Sequence, residues 1–147
     1  MKKYILPLGD GLTLLIVTLI GFTTHGEFDI FFLPRMAATY IPLLIAWFLI
    51  ARWLGLLTTT LPPPHPEGIL GRWRAEGPLF FTEATEGARA GLAMLFAGPL
   101  AVVLRGLLLN APIIPIFAVV LSLTSALGLM IWRTVYLLLK RRLFERD

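Results

Sequence analysis

Four apolar stretches, at 5–24, 36–51, 90–109 and 111–132, leave this chain few ways to fold. A helix needs about 20 residues at 1.5 Å each to cross roughly 30 Å of hydrocarbon, and each stretch has that length or nearly so. The second is the shortest. It spans if Arg35 and Arg52 at its ends snorkel toward the head groups. Hydrophobic residues make up 57% of the chain and charged residues only 15%. A soluble domain carries about 25% charged residues to cover its surface, so lipid must replace water as the main solvent here. The expected fold is an all-α membrane protein with four transmembrane helices, at about 5–24, 36–54, 88–109 and 113–139. The expected domain organisation is a single membrane domain over 1–147, with short outer loops and one long proline-containing inner loop at about 57–86.

The lysine and arginine distribution predicts the orientation. With the N-terminus inside, only Arg35 and Arg105 of the 13 Lys and Arg residues fall toward the outside. Both termini are then cytoplasmic, and a prokaryotic inner membrane is the expected location. Residues 1–22 read as a retained helix rather than a signal peptide, because Asp10 interrupts the apolar run and no small-x-small cleavage site follows. In the inner loop, Pro62, Pro63, Pro64 and Pro66 favour an extended shape. Thr82 is expected to cap the third helix, with Glu83 and Glu86 in its first turn. Trp132 and Tyr136 are placed near the far end of the fourth span, where interfacial aromatics belong.

A carboxylate at membrane depth is costly, which makes Asp10 the residue that most needs explaining. Asp10, Thr13, Val17, Gly21 and Thr24 recur at spacings of three and four, predicting one shared face on helix one. Ala93, Ala97, Ala101 and Arg105 recur on helix three, with Gly87 and Gly91 below. Helix four carries Ala118, Ser122 and Ala126. Small residues so spaced let membrane helices approach closely. Asp10 and Arg133 each lie about 10 Å inward of a basic anchor, Lys3 and Lys140, which predicts an ion pair at matched depth. A second cluster is expected at the outer side, between Arg105, His25 and Glu27 or Asp29. The plainer role of the first pair is to fix helix register, and that role is preferred. Pro42, Gly98 and Pro99 are candidates for kinks.

Several of these residues together resemble a known pattern: Asp10, Ile20-Gly21, Thr24-His25, Thr39, Pro42, Leu104-Arg105, Phe117 to Val120 and Trp132-Arg133. The chain is similar, from Asp10 to about Arg133, to the small prokaryotic membrane family catalogued as domain of unknown function 3054. That family has an Asp in helix one, a Gly-x-x-(Ser/Thr)-His exit and a Pro in helix two. It also has a Leu-Arg pair late in helix three and a Trp-Arg at the end of helix four. Two departures stand out. The inner loop is longer than the family's short basic connector, and Phe22 stands where an arginine usually follows Ile-Gly. The resemblance implies a four-helix prokaryotic inner-membrane protein and brings no activity with it.

The expected function is therefore a non-enzymatic accessory or structural subunit of a larger membrane assembly. Its partners would be the lipid bilayer and other membrane subunits or further copies of itself, without nucleic acid. The alternative is a small homo-oligomeric transporter or channel, with Asp10 and the Arg105–His25 cluster as charge layers. An enzyme is not expected: the chain has no cysteine, two histidines and, as serines, only Ser122 and Ser125 on one span. No metal site and no cofactor are expected, since one histidine cannot hold a metal. The remaining option is His25 as a single axial ligand to a haem or chlorophyll-type pigment, or a quinone contact.

Overall fold

The computed structural model describes residues 4–24, 32–57, 79–110 and 112–144. Four α-helices cover them, with no strand among the described residues: α1 (Ile5–Thr24), α2 (Phe32–Trp53), α3 (Leu79–Leu109) and α4 (Pro115–Phe144). All four are long and apolar enough to cross a membrane, as in a multi-pass membrane protein. The loop residues 58–78, including the proline run and most of the expected extended segment, lie outside the described residues.

Three helix boundaries differ from the sequence expectation. α2 begins at Phe32, because Pro34 falls in its first turn, where a missing N–H leaves no hydrogen bond unmade. α3 begins at Leu79, directly after Pro78, so Thr82 lies within the helix rather than at its cap. Glu86 then sits beyond the first turn and pairs with Arg89 at 2.9 Å, an exposed contact of small energetic weight. α4 runs on to Phe144, so Trp132 is not a terminal aromatic. Its ring packs against α1 at Gly9 and lies 5.7 Å from the Tyr136 ring.

The helices follow chain order around the bundle: α1 packs on α2 and α4, while α3 packs on α2 and α4. Close approaches set the register. Gly87 lies against Thr134 and Met130, Gly91 against Met130, and Gly98 against Ser122, so residue numbers rise on α3 as they fall on α4. The pair is antiparallel, as its short connection requires. Asn110, at φ 49°, takes the left-handed turn that ends α3, a conformation asparagine tolerates. Gly9 against Trp132 and Gly128 against Val17 make α1 and α4 antiparallel in the same way.

The small-residue stripes of α3 and α4 are buried as expected, with Ala93, Ala97, Ala101, Ser122 and Ala126 in the interface. The face predicted for α1 holds through Asp10, Thr13 and Val17, the last two packing on Gly128 of α4, and fails beyond them. Its buried row is Leu6, Asp10, Leu14 and Thr18, while Gly21 and Thr24 are exposed and the space around Gly21 is open. Thr24 misled because a membrane threonine can satisfy its hydroxyl without a neighbouring helix. Thr13 donates to the Gly9 carbonyl at 2.8 Å and Thr24 to the Gly21 carbonyl at 2.9 Å, both within their own helix. Outside the bundle, Leu8, Leu12, Phe96, Ile116, Leu127 and Ile131 are among the large apolar side chains left exposed. That is the exterior a lipid solvent wants.

A methyl group added at Gly98 would overlap the Ser122 side chain and press on its Cα. Gly98→Val should therefore cost about 1–3 kcal/mol by forcing α3 and α4 apart. Gly21→Val, on the open face, should change stability little. SDS titration of the two variants in mixed micelles measures the difference.

Candidate functional site

Asp10 has no solvent exposure and Arg133 only 3%. Two charges so placed are tolerable only if they meet with their remaining hydrogen-bonding groups satisfied. α1 and α4 bring them together. Arg133 Nη2 donates to Asp10 Oδ2 at 2.6 Å and Nε to Oδ1 at 3.2 Å, the two-pronged geometry that suits a guanidinium and a carboxylate. The depth match read from Lys3 and Lys140 thus corresponds to a contact.

α2 supplies the rest. The Trp47 indole N–H donates to Asp10 Oδ2 at 3.3 Å, and the Arg133 guanidinium carbon lies 5.4 Å from the Trp47 ring centroid, over its face. Arg133 Nη1 donates at 2.9 Å to the backbone carbonyl of Leu56, just past the end of α2. That carbonyl is aimed by a glycine-dependent cap. Gly55 takes φ 67°, its N–H bonds to the Arg52 carbonyl, and the Leu56 N–H bonds to the Ala51 carbonyl at 2.8 Å. This is the Schellman closure of a helix C-terminus. It turns the chain back so that Leu56 buries its side chain and offers its carbonyl to Arg133.

Every nitrogen of the Arg133 guanidinium donates, and both Asp10 oxygens accept. The Trp132 indole stands close to the same carboxylate, yet its buried N–H reaches no acceptor in hydrogen-bond geometry. Tyr40 adds a further tie between α2 and α1, donating its hydroxyl to the Gly11 carbonyl at 3.0 Å. One helical turn away from the pair, Leu14, Leu43 and Leu129 stand on α1, α2 and α4, four residues from Asp10, Trp47 and Arg133 respectively and each fully buried. Four residues correspond to about 6 Å of rise, so an apolar layer closes over the charges.

The outer cluster cannot be built from these residues. His25, Glu27 and Asp29 lie outside the described residues, and with them the candidate axial ligand. Arg105 is half-buried on α3, its guanidinium carbon 5.5 Å from the Phe117 ring centroid on α4, and its Nε makes no hydrogen bond. Among the described residues no group of three or more His, Cys, Asp or Glu side chains could hold a metal ion.

A family model described as "Protein of unknown function (DUF3054)" matches residues 7–136, from before Asp10 to beyond Arg133. The chain belongs to the DUF3054 family. No curated protein and no solved structure matches it. Both members of the DUF3054 protein's buried ion pair, and the Trp47 and Leu56 that complete it, fall inside the matched region.

Trp47 and Leu56 were not among the residues singled out from the sequence. Gly55, directly after the apolar run and its Trp53, is the sequence signal that a helix cap stands there. Trp47 carried no signal beyond lying in a span, since an indole is apolar enough to pass as packing.

Removing one charge should be far worse than removing both. Asp10→Ala, which leaves the guanidinium buried and unpaired, should cost about 3–5 kcal/mol. The double variant Asp10→Leu with Arg133→Met should recover much of that loss in the same SDS titration. Trp47→Phe keeps the ring and loses the N–H, and should cost about 1.5–3 kcal/mol as a lost bond to a charged group.

Proposed function

We propose that this protein is a non-enzymatic accessory subunit that packs within a larger membrane assembly. The observation that carries the reading is that the Asp10–Arg133 site is buried and paired within the protein itself. Each guanidinium nitrogen and each carboxylate oxygen already has a protein partner, in Trp47, in the Leu56 carbonyl or in the other member of the pair. The buried layer of Leu14, Leu43 and Leu129 supports the same reading, because an apolar layer across the bundle holds helices rather than passing solutes. So does the apolar exterior, which is large for so small a bundle. Purification from the native membrane in mild detergent should recover the chain with other membrane subunits or as a stable oligomer. Migration as a lone monomer counts against the proposal.

The alternative, a small homo-oligomeric transporter or channel, is favoured by charge at two depths: the Asp10–Arg133 pair on one side and half-buried Arg105 toward the other. It requires ion or proton flux into liposomes that Asp10→Asn abolishes. A haem, pigment or quinone contact would show in the absorbance spectrum of the purified protein.

The accompanying topology has both termini on the cytoplasmic side of a prokaryotic inner membrane, supported by the scarcity of basic residues at the Arg35 and Arg105 ends. The chain has no cysteine, so single-cysteine labelling is clean. Lys140→Cys should react with a membrane-impermeant maleimide only after the cells are opened, and Pro112→Cys, in the outer hairpin, in intact spheroplasts.

A further inference from the structure

Three helices carry the same polar–leucine–polar ladder in steps of four residues. On α1 it is Asp10, Leu14, Thr18; on α2 Trp47, Leu43, Thr39; on α4 Arg133, Leu129, Ser125. α1 runs antiparallel to both α2 and α4, so the ladders climb together. Their first rungs meet in the ion pair. Their second rungs are the buried leucines, and their third rungs, about 12 Å from the pair, are three hydroxyls at one level of the bundle. All three are buried: Thr18 and Thr39 at 3% exposure, Ser125 at zero. At this level α3 contributes the fully buried Met94, with Ala97 less than a turn away, and neither side chain offers a hydrogen-bond donor.

The hydroxyls are complementary in what they lack. Thr18 spends its hydrogen on the Leu14 carbonyl at 2.8 Å and Thr39 on the Arg35 carbonyl at 3.2 Å, so both oxygens are left as acceptors. Ser125 Oγ makes no hydrogen bond at all. Most membrane serines bond back to their own helix, but Ser125 Oγ reaches no carbonyl of α4 in hydrogen-bond geometry. An orphaned hydroxyl in a core surrounded by hydrocarbon is costly, and lipid offers it no partner. One water molecule between them would satisfy all three, donating to Thr18 and Thr39 and accepting from Ser125. Three hydrogen bonds are the usual complement of a buried water.

We propose that Thr18, Thr39 and Ser125 form a hydrated layer that holds one water molecule inside the bundle, separated from the ion pair by the leucine layer. The site stands independently of the accessory role proposed above. Two measurements test it. In water-edited NMR of the intact protein in deuterated lipid, magnetisation should pass from water to the Thr18 and Thr39 methyls, and not to those of Leu14 and Leu43. Absence of transfer to the threonines overturns the proposal. Ser125→Ala should lower the folding equilibrium constant about tenfold, because it strips the water of a partner. It should also be strongly non-additive with Thr18→Val, since both act on one shared molecule. If Ser125 were merely an orphan, its removal would be neutral or stabilising. That result, or an additive cycle, overturns the hydrated layer.

Discussion

The architecture depends on one desolvated ion pair. Asp10 and Arg133 come from the first and last helices, and neither could remain charged in hydrocarbon alone. Their mutual attraction does not by itself offset the loss of water. What makes the arrangement tolerable is the third party, α2, which gives an indole N–H to the carboxylate and a backbone carbonyl to the guanidinium. Three helices therefore converge at one level because each holds part of a single hydrogen-bonding set. α3 contributes differently. It has no charge in this set and attaches through close approach of Gly87, Gly91 and Gly98 to α4, where backbone and side chain interlock at short range.

Two kinds of cohesion thus divide the bundle. The α1–α2–α4 side is held by directional polar contacts, whose geometry admits one register. The α3–α4 side is held by shape, through small residues facing Ser122, Ala126 and Met130. A four-residue slip of α1 against α4 would leave Asp10 facing leucine, while a comparable slip of α3 would meet a similar run of small residues. The ion pair therefore supplies the specificity that the small-residue stripes lack, the register-fixing use for which buried polar groups are best attested.

Much of this was legible in the chain. Span number and type follow from length and hydropathy, and the Asp10–Arg133 contact from matching each residue's depth to a basic anchor. Helix starts were harder, because a proline in or just before the first turn extends a helix that hydropathy alone would begin later, as at Pro34 and Pro78. The face of α1 ends sooner than its spacing suggests, because Thr24 satisfies its hydroxyl within its own helix and Gly21 faces open space. The Leu56 carbonyl could not have been found by side-chain reasoning at all. It is a backbone group, placed by the left-handed turn at Gly55.

The span of chain between the paired charges has a consequence for how the molecule is made. Asp10 and Arg133 are 123 residues apart. At a synthesis rate of 5–20 residues per second, α1 waits roughly 6–25 s before the guanidinium emerges from the ribosome. Trp47 arrives long before that, on the very next helix. The α1–α2 hairpin can thus hold its carboxylate against an indole donor while α3 and α4 are still being translated. Arg133, by contrast, enters a membrane in which its counter-charge is already waiting. The order of the helices along the gene is also an order of insertion in which the second charge never lacks a partner.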